Sequence, residues 1–288
     1  MCSVCGEGSE GGVMSDLQQG LSAVMIVRNG EKYLSLVLRA LARVVDEIVL
    51  VDTGSTDRTL EIARRQGCRV LEFAWCNDFS RAKNFGIEHA RYSWILSVDA
   101  DEVLYGQEIR ERLAAPLAAP DIPAYIIWVD NLFDSGRVEP SRMLRLFRND
   151  PRIRFVNPVH ESIGEALYAH WPHITPPVLD IHLRHYGYLS GNAAGKHDRN
   201  IALLKEWADT APDNIYANYK LGGTLAESGR RGEALPYLKR TFDLVAGCGD
   251  RGTYPFVRTF ANLYLQLLAE EGLAEDADRC RKVAAGWG

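Results

Sequence analysis

No run of apolar residues in this 288-residue chain approaches the roughly 18 needed to cross a bilayer, so the sequence predicts no transmembrane segment. The first twenty residues carry no basic cluster followed by an apolar stretch, which is the pattern a secretory signal requires. Residues 1–20 therefore read as a disordered leader. The expected compartment is the cytoplasm, with a peripheral place at the inner face of the membrane as the other option. A charge excess of one sign is also missing: 33 basic and 38 acidic residues are mixed along the chain, which excludes an extended basic face for nucleic acid. Cysteine is sparse, with Cys2, Cys5, Cys68, Cys76, Cys248 and Cys280 scattered in a way that fits reduced thiols better than a disulfide framework. The single C-x-x-C, Cys2 and Cys5, lacks the second pair that a four-ligand zinc site needs.

What is present is an ordinary globular composition and enough length for two domains. Ser22 to Val27 is a short apolar run closed by Arg28-Asn29-Gly30, which predicts a buried strand and a turn in which Asn29 can cap a helix. Leu34, Val37, Leu38, Leu41 and Val44 then recur at helical spacing, predicting a helix to about Val44. Ile48 to Val51 is a second strand, opening onto Asp52-Thr53-Gly54-Ser55-Thr56-Asp57, where Ser55 or Thr56 can cap the next helix. Val70 to Phe73 and Ser93 to Val98 are further strands, separated by a helix that Asp78 caps.

This βα alternation predicts an α/β fold with a mostly parallel sheet covered on both faces, and a ligand crevice beyond the carboxyl ends of the strands. Asp52, Asp99 and Asp101 fall at those ends. Two carboxylates one residue apart, in Asp99-Ala100-Asp101-Glu102, can hold a hard cation such as Mg²⁺ or Mn²⁺, which would screen charge building on a departing diphosphate. Farther on, Asp180-Ile181-His182-Leu183-Arg184-His185 alternates as an edge strand would, placing His182 and His185 on opposite faces so that only one can serve the crevice.

From Lys196 the pattern turns helical. Ala211-Pro212-Asp213-Asn214 marks a boundary, and Ile215 to Ser228 and Glu233 to Val245 form a helical hairpin about Gly229. Leu221, Gly222, Gly229, Ala234 and Leu238 stand where a tetratricopeptide unit places its packing residues, although Asn218 and Ala246 replace the bulky first position and the closing proline. A second pair near Tyr254 to Ala285 lacks the signature. One repeat buries its apolar faces poorly, so these helices are expected to dock on the first domain or on another copy of the chain, giving a homodimer. Tyr216, Tyr219 and Tyr237 are read as helix-packing residues rather than a groove.

Four motifs in order resemble those of a family 2 glycosyltransferase with the GT-A fold, in the bacterial subgroup that carries tetratricopeptide-like helices after the catalytic domain. They are Met25-Ile26-Val27-Arg28-Asn29; Val51-Asp52-Thr53-Gly54-Ser55-Thr56-Asp57-Arg58-Thr59; Asn77-Asp78-Phe79-Ser80-Arg81-Ala82-Lys83-Asn84; and Trp94-Ile95-Leu96-Ser97-Val98-Asp99-Ala100-Asp101-Glu102. Arg145-Leu146-Phe147-Arg148, Val159-His160-Glu161 and His185-Tyr186-Gly187-Tyr188 resemble its distal motifs. The resemblance implies a GT-A domain over residues 21–190 and a tetratricopeptide-like helical domain over 191–288. Members similar to this chain include lipopolysaccharide-core glucosyltransferases and peptide cysteine S-glycosyltransferases.

Carried over residue by residue, the resemblance implies that Asp52 meets the uracil or ribose of a nucleotide-sugar donor, with Thr53 and Gly54 shaping the turn around it. Asp99, Ala100 and Asp101 form the donor loop, in which Asp99 meets the ribose or the metal through water and Asp101 binds the metal. Lys83 stands near the diphosphate where the family often has arginine, and Arg28-Asn29-Gly30 departs from its usual Lys-Asn-Glu. Arg145 or Arg148 reaches the diphosphate or an acidic acceptor, Arg148 being counted with the donor site. His185 is the late histidine offered to the metal or diphosphate. Glu161 is the expected base of a single inverting displacement, with His160 beside it to orient it or to pack. The donor implied is a UDP-hexose, and the acceptor a glycan, lipid-linked sugar or peptide. Two other readings are a tetratricopeptide-type scaffold with an inert nucleotide domain, and a nucleotidyltransferase, for which Arg28-Asn29-Gly30-Glu31 supplies no glycine-rich phosphate loop.

Overall fold

The structure is a computed structural model that describes residues 17–189, 196–248 and 256–287. Cys2, Cys5 and most of the expected leader lie outside the described residues. The chain divides into two compact units, Met1–Ala193 and Ala194–Gly288.

The first unit is built on one eight-stranded sheet. Its strands are β1 (Gln18–Val27), β2 (Glu47–Asp52), β3 (Arg69–Glu72), β4 (Tyr92–Ser97), β5 (Glu102–Tyr105), β6 (Ala124–Leu132), β7 (Val138–Arg148) and β8 (Val178–His185). The order across the sheet is β3-β2-β1-β4-β7-β6-β8-β5. Its first four strands are parallel, whereas β7 runs antiparallel to both β4 and β6 and β5 antiparallel to β8. β1 starts at Gln18, inside the stretch read as leader, because Gln18 donates its N–H to Arg91 O.

Helices α1 (Glu31–Leu41), α2 (Thr59–Arg65), α3 (Phe79–Glu88), α4 (Ile109–Ala118) and α5 (Gly164–His170) complete the unit. Alternation along the strands feeds two apolar layers. Met25, Leu50 and Leu96 face one side, where α1 lays down Leu34, Val37, Leu38 and Leu41. Val24, Val49, Ile95 and Phe147 face the other, against Ile87. The helix predicted to reach Val44 ends at Leu41. Gly86 lets α3 approach the sheet closely, since a Cβ there would stand 2.7 Å from Val24 Cγ1 and 2.8 Å from Val51 Cγ2.

The predicted caps fall partly elsewhere. Asp78 caps α3 as expected, accepting from the Arg81 N–H at 2.9 Å. Asn29 does not cap α1. With φ 55° it turns its Oδ1 to the Thr56 N–H at 2.8 Å, tying the first loop to the second. Neither Ser55 nor Thr56 caps α2: Ser55 Oγ accepts from the Asn29 N–H, and Asp57 takes the Thr59 N–H.

The second unit contains α6 (Lys196–Thr210), α7 (Ile215–Glu227), α8 (Arg231–Gly247), α9 (Val257–Glu270) and α10 (Ala274–Ala284). Asn214 caps α7 through the Ala217 N–H. Leu221, Leu225, Ala234, Leu238 and Phe242 are buried between helices, and Gly222 sits so close to Leu238 that a Cβ would lie 2.6 Å from its Cγ. The bulky first position of the repeat is replaced by a wholly buried Asn218, whose Nδ2 donates to Pro212 O and Asn214 O. Tyr219 stacks on Phe256 at 4.5 Å, so the tyrosine does pack between helices. No helix among the described residues is long and apolar enough to cross a membrane.

Candidate active site

Parallel pairing of β1, β2 and β4 brings their carboxyl ends to one rim, and with them Asp52 and the Asp99-Ala100-Asp101 turn. At Asp52 the carboxylate folds back on its own turn, Oδ2 accepting from the Gly54 and Ser55 N–H groups at 3.0 Å each. Thr53 donates its hydroxyl to Val27 O. The Asp52-Thr53-Gly54 turn is thus rigidly tied to the end of β1.

The antiparallel return of β7 supplies the next group. Because Leu146 pairs with Leu96, Arg145 arrives at the same rim beside Asp99. Its Nη2 donates to Asp99 Oδ2 at 3.0 Å and to Glu102 Oε1 at 2.9 Å. Glu102 Oε2 in turn accepts the Asp99 N–H, closing the acidic turn on itself. Burial pushes the Glu102 carboxyl up to about 7 against the pull of Arg145. Burial also works against the charge on Asp99, but Arg145 and then Lys83 hold its carboxyl well below the usual carboxylate range.

Lys83 reaches this cluster from α3. Its Nζ lies 3.3 Å from Asp99 Oδ1 and 2.7 Å from Glu161 Oε1, and its side chain is only 5% exposed. Burial disfavours the ammonium, but Asp99 and then Glu161 outweigh that cost and its pKa is raised. Glu161 is delivered by a loop pinned at both ends, where Val156 and Ser162 exchange backbone hydrogen bonds. Asn157 and His160 take left-handed φ of 76° and 54° within it. Asn84 fastens that loop to α3, its side chain bonding both the N–H and the C=O of Phe155 at 2.9 Å.

On the far side of the acidic turn, Glu102 pairs with His185 between β5 and β8. His185 Nε2 stands 3.6 Å from Asp101 Oδ1, and its Nδ1 faces Asn131 Oδ1 at 2.9 Å. His182 lies on the other face of β8, between Asp130 and Asp180. Of the two histidines, His185 is the one brought to the turn.

Two expectations are corrected. Arg148 is not at this rim: it pairs with Trp94 at the opposite end of β4, stacks over that ring at 4.5 Å, and donates to the carbonyls of Ala119 and Ile122. The expected trio Asp99, Asp101 and His185 does not converge on one cation, because Asp99 has each carboxylate oxygen on a basic side chain. Among the described residues no group of three or more His, Cys, Asp or Glu side chains forms such a site. Lys83 faces Glu161 as well as Asp99, a contact the sequence did not foretell. Asn84 and Asn131 were missed as site residues. Asn84 could have been found, since it closes the Asn77 to Asn84 motif, whereas Asn131 carries no local signal.

An α/β sheet whose acidic turn lies beyond the carboxyl end of a central strand has its ligand crevice at that turn. Residues 22–168 match Glycosyl transferase family 2, and the chain belongs to that family. It is 36% identical over 233 residues to a TPR repeat-containing protein of Synechococcus elongatus, covering 76% of this chain and 56% of that protein. It is 28% identical over 236 residues to the SPbeta prophage-derived glycosyltransferase SunS of Bacillus subtilis, covering 76% and 52%. The chain therefore spans about half the length of the curated relatives it matches. The fold is similar to that of Staphylococcus aureus TarS 1–349 in its complex with UDP, with a TM-score of 0.53 at 17% identity over 93% of this chain and 90% of that one.

Proposed function

We propose that this chain transfers a hexose from a UDP-sugar to an acceptor with inversion, assisted by Mn²⁺ or Mg²⁺, with Glu161 as the base. The observation that carries this reading is the continuous line of charged side chains from Glu161 through Lys83 to Asp99 and Arg145, which joins a candidate base to the acidic turn at the strand end.

The cation is tested against the residues present. Asp101 and His185 offer an oxygen and a nitrogen from two different strands' ends, their side chains 22% and 20% exposed. Gly187 leaves the space beside them clear, since a Cβ there would meet His185 Nε2 at 2.2 Å and Asp101 Oδ2 at 2.9 Å. One carboxylate plus donor phosphates is a usual arrangement for such ions, and Asp101, with His185 beside it, fits that pattern. When bound, the ion supplies charge neutralisation for the departing nucleoside diphosphate.

The chain's own part follows. Asp52, Thr53 and Gly54 form the wall for the nucleoside. Glu161 accepts the acceptor's proton as the acceptor attacks the anomeric carbon, and the bond from that carbon to the diphosphate oxygen breaks with its electron pair leaving on the nucleotide. The acceptor class, whether a glycan, a lipid-linked sugar or a peptide, stays open within this proposal.

The test is calorimetry of UDP binding with Mn²⁺ and with EDTA, beside a nucleotide-sugar panel scored for donor hydrolysis. Binding that needs the metal and disappears in Asp101→Ala supports the reading. Metal-independent binding, or none, rejects it.

A further inference from the structure

Three groups surround the Lys83 ammonium. Glu161 Oε1 lies at 2.7 Å, Asp99 Oδ1 at 3.3 Å, and the Phe155 ring centroid at 5.0 Å. An ammonium has three N–H donors and no other hydrogen-bonding capacity, and an aromatic face is itself a favourable neighbour for a cation. Little of this side chain is left for a phosphate to approach. Glu161, by contrast, keeps 16% of its side chain open to solvent.

The surroundings of Lys83 are themselves held in place. Asn84, the next residue on α3, clamps the Phe155 backbone, and Phe79 N–H donates to Pro158 O at 2.8 Å, so the helix and the Glu161 loop are joined on both sides of the ion pair. Asp99 also has Arg145, whose Nη2 it shares with Glu102, so Lys83 is not its only cation.

We infer that Lys83 is a positioning residue for Glu161: its buried ammonium holds that carboxylate aimed at the acceptor, and it is not a ligand of the donor diphosphate. This rests on the reading of Glu161 as the base. A carboxylate deprived of such a partner is free to swing toward solvent, and a base turned away from the acceptor no longer takes its proton.

The test compares Lys83→Met, Lys83→Arg and Glu161→Gln in the full chain, measuring UDP binding with Mn²⁺ by calorimetry and donor hydrolysis at saturating donor. The expected result for Lys83→Met is a fall of about tenfold or more in kcat with the UDP Kd within about threefold of wild type, an effect confined to the chemical step. Lys83→Arg should restore part of kcat by returning a cation. The double variant Lys83→Met with Glu161→Gln should be no slower than Glu161→Gln alone, because a residue that acts through Glu161 has nothing left to act on. Should Lys83→Met not fold, Lys83→Gln enters the same comparison. A weakened UDP Kd with kcat preserved would overturn the inference and return Lys83 to the phosphates, and so would additive losses in the double variant. Full turnover in Glu161→Gln would instead remove the base reading itself, a result separate from either of these.

Discussion

Asp101 Oδ1 and His185 Nε2 face each other at 3.6 Å where β5 and β8 begin and end, with the bare side of Gly187 against both. Neither β5 nor β8 belongs to the all-parallel run β3-β2-β1-β4, so the acidic turn is completed from the other half of the sheet, where β8 runs parallel to β6 and antiparallel to β5. A methyl group at position 187 would stand 2.2 Å from the imidazole Nε2, far inside contact distance.

Gly187→Ala and His185→Ala should each weaken Mn²⁺-supported UDP binding by about tenfold or more, in the range seen when metal-site geometry is disturbed. Calorimetry with the metal present reads this directly. Unchanged affinity in both variants would mean that the pair holds no cation.

Arg148→Met should cost about 1–2 kcal/mol of stability, from a lost cation–π contact and lost bonds to carbonyls, while leaving UDP affinity as it was. Urea unfolding and calorimetry together separate this from a donor role, for which affinity would drop and stability hold.

Gly86→Ala should destabilise the first unit by about 1–3 kcal/mol, since the added carbon meets two valine side chains of the central strands. Denaturation midpoints would show it. A neutral result would require α3 to shift outward, and with it Lys83, which a parallel turnover assay would detect.

His182 gives a pH signature. Its two nitrogens face Asp130 and Asp180, with the Tyr105 hydroxyl also on Asp130, Arg112 on Asp180 and Arg184 beside Tyr105. Both nitrogens can donate only when the ring is charged. Partial burial opposes that charge, but the two carboxylates outweigh it and the pKa is raised. A raised folded-state pKa means stability that is present in full below about 6.5, the unfolded value, and lost as pH climbs through the folded value. The melting-temperature gap between wild type and His182→Gln should therefore be widest near pH 6 and narrow as pH climbs through the raised folded-state value. A gap of equal size at pH 6 and pH 8.5 would contradict the charged-ring account.

The amino-acid order alone determined the βα alternation, the placing of Asp52, Asp99 and Asp101 at strand ends, the Asp78 cap and the helical hairpin about Gly229. Each of these depends on apolar periodicity or on a hydrogen bond reaching only a few residues, which is the range over which backbone geometry is set locally. Even there Asn29, Ser55 and Thr56 misled, because two loops distant in sequence used their polar groups on each other. Only the tertiary structure decided that Arg145 and not Arg148 stands at the rim, since one register between β7 and β4 assigns both positions at once. It also decided that Lys83 meets Glu161 and that Asn131 meets His185. Such pairings arise when strands close into a sheet and helices settle on it, and no local pattern along the chain encodes which side chain will be found opposite.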